Sequence, residues 1–283
     1  MGPVPWSLLP DNAAIGGEGQ LFIGGCDTLD LAAEFGTPLF VYDEDHLRAR
    51  CREAADAFGQ HALYASKAFL CRAMARLVAE EGLGIDVASG GELHVCLSAG
   101  VEPGRLALHG NNKSLNELRQ ALMAGVGRIV VDSFDELDRL DHLAATEPDL
   151  LANRPKVLLR ITPGIKAETH DYIATGQDDS KFGFTVSTGA ANRAVERAAA
   201  AEAYELVGIH AHIGSQVFRV DSFANAVAAL GAFANPLGLD ELVVGGGLGV
   251  AYVEGEEAPT ITQWSRLIQK AAADAGITAT IGI

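Results

Sequence analysis

Lys67 stands in the run ALYASKAF (residues 62–69), directly after the apolar triplet Leu63, Tyr64 and Ala65. An amine at the mouth of an apolar strand is partly desolvated, which lowers its pKa and frees a neutral nucleophile that can hold a carbonyl as a Schiff base. Taken alone, the residue reads more simply as a surface lysine just past a strand. It is not alone, because polar residues recur at the ends of other apolar runs: Asp86, His109, Asp132, Arg160, His212 and the glycines Gly245, Gly246 and Gly247. Two of these stretches suit a phosphate. GGGLG (245–249) follows a strand and lets backbone N–H groups approach an anion, and HIGSQ (212–216) adds the hydroxyl of Ser215. Glycine-rich strand ends are also ordinary turns, so neither stretch decides the matter by itself. His212 can stack on a planar ligand or carry a proton near neutral pH, and a hydrogen-bonded core histidine is the plainer alternative. Asp132 reads as a structural residue capping a helix that begins near Ser133.

The elements that must position these residues alternate regularly. Strands are expected near 62–66, 84–88, 106–109, 128–132, 156–161, 206–213, 241–245 and 278–283. Helices are expected near 43–58, 68–82, 90–99, 114–125, 133–146, 188–202, 220–234 and 261–276. Asp43, Ser89, Ser114, Ser133 and Asp221 are suitable cap residues at helix starts. The strands are short and apolar on both faces, as a buried parallel sheet requires. Eight such units predict a closed (β/α)8 TIM-type barrel of class α/β. A doubly wound sheet is the rival, but it usually has fewer strands. In a barrel, the polar residues at strand C-termini share one rim, where active sites of this architecture lie. Residues 1–37 are irregular and rich in Gly and Pro, with one strand expected at 20–23.

Composition excludes several classes. The 283 residues, 48% of them apolar, are enough for a large core. A net charge of −16 disfavours nucleic acid and anionic membranes as partners, since both require a basic face. The N-terminal stretch lacks the basic start and long apolar run of a signal peptide or membrane span. Cys26, Cys51, Cys71 and Cys96 are widely spaced, which points away from a disulfide framework or a metal site. It points toward a reducing, cytoplasmic setting in which each is a small buried hydrophobe.

YASKAF, DVASGGEL, HGNNKS, THDYIATGQDDSKFGF, HAHIGSQ and GGGLGVAY together resemble diaminopimelate decarboxylase, a pyridoxal-phosphate enzyme with an alanine-racemase-type barrel. YASK is shared with ornithine and arginine decarboxylases; HGNNK, HDYIATG and KFGF are more particular to the diaminopimelate branch. The resemblance runs from about Thr28 to the last residue. It implies pyridoxal 5'-phosphate as cofactor and decarboxylation of meso-2,6-diaminopimelate to L-lysine and CO2. It implies that Lys67 binds the cofactor aldehyde and later protonates the product, and that His212 stacks on the pyridine ring. Ser215, Gly245, Gly246 and Gly247 would bind phosphate, and Asp86 and Arg160 would lie near the cofactor. His109 and Asn111 are candidates for the site wall. Relatives often carry Asn where this chain has Thr162 in LRITP.

The resemblance also sets an expectation about extent. Residues 38–283 would form the cofactor-binding barrel, and residues 1–37 an extension whose strand normally joins a C-terminal β-domain. That domain, together with the E-P-G-R motif that pairs with the pyridine nitrogen, is expected to be absent here, which leaves the strand at 20–23 without a partner. Full-length relatives are expected to be homodimers. Three other readings stand beside decarboxylation: a barrel that binds pyridoxal phosphate without turnover, an inactive remnant, and a phosphate-sugar isomerase.

Overall fold

Runs such as RIVV and KVLLRI are β-branched and apolar on both faces, so they take the extended backbone and bury each face against a different layer. The computed structural model, which describes residues 5–164 and 181–283, arranges them as a (β/α)8 barrel. Three short antiparallel strands come first, β1 (Ala14–Ile15), β2 (Leu21–Ile23) and β3 (Cys26–Asp27), followed by helix α1 (Thr28–Phe35). The repeating part begins with α2 (Glu44–Phe58), β4 (Leu63–Ala65), α3 (Arg72–Glu80), β5 (Gly84–Val87), α4 (Gly90–Ser98) and β6 (Leu106–Leu108). It continues through α5 (Leu115–Ala124), β7 (Arg128–Val131), α6 (Phe134–Thr146), β8 (Lys156–Thr162), β9 (Phe184–Thr185) and α7 (Ala190–Ala199). It ends with β10 (Glu205–His210), α8 (Val220–Ala234), β11 (Glu241–Val243), α9 (Ile261–Asp274) and β12 (Thr280–Gly282).

Strands β4, β5, β6, β7, β8, β10, β11 and β12 are parallel neighbours in that order, and β9 adds to the end of β8. Backbone bonds close the ring: Leu63 N donates to Ile283 O at 3.0 Å, and Ile283 N donates to His61 O at 3.0 Å. The helical layer closes at the same seam. Trp264 of α9 lies 5.9 Å from Phe58 of α2 and 5.4 Å from Phe223 of α8, centroid to centroid. At the barrel base Arg128 pairs with Glu241 beside a cavity of about 210 Å³ that also involves Arg105 and His61. Arg105 is itself bonded to the carbonyls of Ala79 and Leu83.

The strand period of two then sorts the interior. Val130, Leu158, Val207 and Val243 form a small apolar cluster of their own inside the barrel, apart from the larger core between strands and helices. Two residues further along the same faces come Asp132 after Val130 and Arg160 after Leu158. A register shift between Leu206 and Gly208 in β10 brings Gly208 opposite Leu158 and His210 opposite Arg160. The polar residues therefore form a layer above the apolar one, toward the C-terminal mouth.

Several expectations need correction. The strand at 20–23 is not left unpaired, because β1 and β3 flank it on both sides. Asp43, Ser89, Ser114 and Ser133 do accept bonds from first-turn amides of the helices they precede. Asp221 does not, since α8 starts at Val220 and Asp221 sits inside its first turn. Its charge there still complements the helix dipole. Cys51 and Cys96 are buried, and burial pushes the Cys96 thiol up to about 11; Cys26 and Cys71 are instead exposed. All four are free thiols.

Candidate active site

Lys67 lies in a single 3-10 turn, Ser66–Ala68, that leaves the end of β4. Tyr64, half-buried, reaches across this turn and donates its hydroxyl to the carbonyl of Phe69 at 2.7 Å. The Phe69 ring stacks on Tyr42 at 4.3 Å. Lys67 itself is exposed at the mouth.

Asp86 ends the inward face of β5, and its carboxylate bonds Nδ1 of His109 at 2.9 Å. The His109 ring meets that of His210 edge to face, 4.5 Å between centroids. His109 Nε2 and His210 Nδ1 are both buried with no hydrogen-bond partner among the described residues. His210 is 6% exposed, and burial, reinforced by His109 and Arg160, holds it well below the usual imidazole range. His212 lies two residues beyond β10, half-buried. Burial first, then the cations Arg160 and Lys67, push its pKa down to about 3. Both imidazoles are thus held in the neutral form at physiological pH.

Asp132 does not cap α6; Ser133 does. Asp132 is buried and bonds Nη1 of Arg160 at 3.3 Å and the amide of Gly183 at 3.2 Å. Phe182 covers the guanidinium at 4.3 Å from its ring centroid. The carbonyl of Phe182 accepts a bond from the Thr162 hydroxyl. Burial draws the Arg160 guanidinium below its ordinary value while Asp132 opposes that shift. KFGF thus closes over the pair, whereas residues 169–180 of the same motif lie outside the described residues.

The loops after β10 and β11 run side by side. Val217 N donates to Gly247 O at 2.9 Å and Gly249 N to Val217 O at 3.0 Å. Gly245 and Gly247 have φ of 74° and 97°, and a Cβ on them would meet the carbonyls of Ala211 at 2.4 Å and Gly214 at 1.9 Å. A Cβ on Gly246 would meet nothing within 4 Å, so this loop borders open space. Ser215 is exposed on the adjoining loop, and Asn111 is exposed on the loop after β6. An exposed amine, a neutral imidazole, a glycine loop beside open space and buried unpartnered ring nitrogens fit a planar, phosphate-bearing aldehyde.

His210, Lys113, Glu136, Phe182 and Gly183 were not among the residues singled out from the sequence. His210 carries a readable signal: it stands two residues before His212, on the same strand face. KFGF is legible as a motif, but its contact with Arg160 is not, because Phe182 lies 22 residues further along the chain. Among the described residues there is no group of three or more His, Cys, Asp or Glu side chains placed to hold a metal ion. Nor is any helix among them long and apolar enough to cross a membrane.

Such a barrel, with a lysine and a glycine loop at one mouth, is of the class that binds pyridoxal phosphate. Residues 44–280 match the pyridoxal binding domain of the pyridoxal-dependent decarboxylases, and the chain belongs to that family. It is 45% identical to the diaminopimelate decarboxylase of Mycobacterium tuberculosis (strain H37Rv), over 91% of this chain and 59% of that protein. It is 44% identical to that of Bacillus subtilis (strain 168), over 89% of this chain and 59% of the relative. Among solved structures, diaminopimelate decarboxylase from M. jannaschii in co-complex with L-lysine superposes with a TM-score of 0.87 at 30% identity. That match covers 96% of this chain and 65% of that one. The chain therefore spans about three-fifths of the length of the curated relatives it matches.

Proposed function

We propose that the barrel mouth binds pyridoxal 5'-phosphate and serves the decarboxylation of meso-2,6-diaminopimelate to L-lysine and CO2. The observation that carries this reading is the convergence on one mouth of Lys67, His212 and the 245–247 glycine loop with the Asp86–His109 and Asp132–Arg160 pairs. The 45% identity to diaminopimelate decarboxylases supports the substrate. When bound, the cofactor supplies the electron sink for the pair released as CO2 leaves.

The residues of the chain do the rest. Lys67 Nζ, on a flexible stem at the mouth, would hold the cofactor through its aldehyde, and as an ammonium would carry the proton that replaces the lost carboxylate. His212 offers a neutral ring face for stacking, so it brings no positive charge beside the reacting centre. Ser215 and the amides of Gly245, Gly246 and Gly247 would hold the phosphate. Arg160, fixed by Asp132 and shielded by Phe182, sets a positive potential in the mouth that orients an anionic ligand. Asp86, through His109, supplies an acceptor near the buried ring nitrogens. A cytoplasmic location, a homodimer, and residues 38–283 as the cofactor-binding unit with 1–37 as an extension belong to the same reading.

Cofactor capture and turnover are tested separately. The purified chain mixed with pyridoxal phosphate should develop a visible absorbance band, and borohydride should fix a pyridoxyl group on Lys67, located by peptide mapping. No band, or a label on another lysine, defeats the assignment. Lysine formed from meso-diaminopimelate, with matching CO2, tests the reaction. Capture without lysine would leave a cofactor-binding barrel and remove the claim of turnover.

A further inference from the structure

The HGNNK motif ends in a lysine that does not face the mouth. Lys113 is 2% exposed, and its side chain runs into the wall between β6, β7 and α6. Its ammonium touches three oxygens: Gly110 O at 2.5 Å, Val130 O at 2.6 Å and Glu136 Oε2 at 2.8 Å. Glu136 is fully buried as well. Its carboxylate accepts the amides of Lys113 at 3.1 Å and Asp132 at 2.8 Å. Every donor of the ammonium is therefore used, which is the condition under which a buried ion pair is tolerated.

The two ends of this pair lead to the two carboxylates of the mouth. At one end, Gly110 follows His109, and φ of 107° with the Ala88 carbonyl 3.0 Å from its would-be Cβ keeps this loop pressed on the end of β5. There His109 N donates to Val87 O at 2.8 Å, and the ring reaches Asp86. At the other end, the amide held by Glu136 is that of Asp132, whose side chain holds Arg160 and Gly183. Arg139 fastens the outside of the loop through the Lys113 carbonyl.

We propose that Lys113 and Glu136 are positioning residues: one buried ion pair that sets both His109 against Asp86 and Asp132 against Arg160. The effect on cofactor binding rests on the functional reading above; the placement of His109 does not. Replacing the pair together, as Lys113→Met with Glu136→Gln, removes both charges without leaving one unpaired.

The test compares this double variant with the parent chain, first without cofactor. Imidazole nitrogen NMR should show the His109 Nδ1–Asp86 hydrogen bond in the parent and its loss or displacement in the variant. Titration with pyridoxal phosphate should then show at least tenfold weaker affinity, with the far-UV circular dichroism of the barrel retained. An unchanged His109 signal and unchanged affinity in a folded variant would overturn the proposal. If the double variant does not fold, Glu136→Asp, which keeps both charges but withdraws the carboxylate from the two amides it holds, is read in the same two ways. A parent chain that takes up no pyridoxal phosphate would defeat the functional reading, while the His109 spectrum would still decide the positioning role.

Discussion

At the scale of single residues, the site depends as much on side chains that are missing as on those present. Gly247 combines a left-handed backbone with a carbonyl, that of Gly214, only 1.9 Å from where a Cβ would stand. Both features resist any side chain, and carbonyl backbone cannot give way as a flexible side chain can. Gly247→Ala should therefore destabilise the chain by roughly 2–4 kcal/mol, combining backbone strain with overpacking. Chemical denaturation measures this, and pyridoxal phosphate titration should show impaired binding in the variant that remains folded. Gly246→Ala is the matched control: its Cβ points into open space, so stability should hold within about 0.5 kcal/mol. Equal losses at the two positions would show that the loop is not shaped as described.

At the scale of elements, the turn carrying Lys67 is short, and no helix of its own holds it. Its fastening is the bond from Tyr64 to the Phe69 carbonyl and the Tyr42–Phe69 stack. Tyr64→Phe removes one hydrogen bond and leaves the ring, so it should cost about 1 kcal/mol in stability. Pyridoxal phosphate affinity should fall several-fold because the lysine's turn loosens; a melting shift with unaltered affinity would place the bond in the scaffold alone. The elements themselves were legible in the sequence, with all eight barrel strands and eight helices found near their observed spans. Alternation, β-branched runs and serine caps are local signals, and local physics determines them. What escaped was non-local. The register shift in β10 that turns His210 inward is set by pairing with β8, and β9 forms only because the chain returns to β8. Lys113 illustrates the same limit: a lysine is expected at the surface, and its burial follows only from Glu136 arriving from α6. For the site, Lys67, Asp86, Arg160 and the glycines lie around one mouth as strand ends of a barrel must. The turn that carries Lys67 leaves the strand and brings the amine out to the mouth, where the residue is exposed.

At the scale of the whole molecule, the cluster of neutral imidazoles ties stability to pH. His212 has a folded pKa of about 3 against about 6.5 in an unfolded chain, and His210 is shifted the same way. Between these values the unfolded state binds more protons, so stability rises with pH; the contribution is fully present above about 6.5 and is lost as pH falls toward 3. Glu81, Glu117 and Glu147 also have lowered values, Glu81 and Glu147 from arginine pairing and Glu117 chiefly from the Ser114 amide. Their contribution is lost only below about 4.5, so the histidines dominate the window above it. From pH 7.5 to pH 5, His212 alone should remove about 2 kcal/mol, with His210 adding to the same slope. Urea denaturation across that range should show the loss, and His212→Asn, which cannot take up a proton, should flatten it. The parent and His212→Asn losing stability in parallel would mean that the ring is not held neutral by this mouth. A flatter slope in the variant would tie the acid sensitivity of the fold to the same residue whose neutral ring is proposed to face the cofactor.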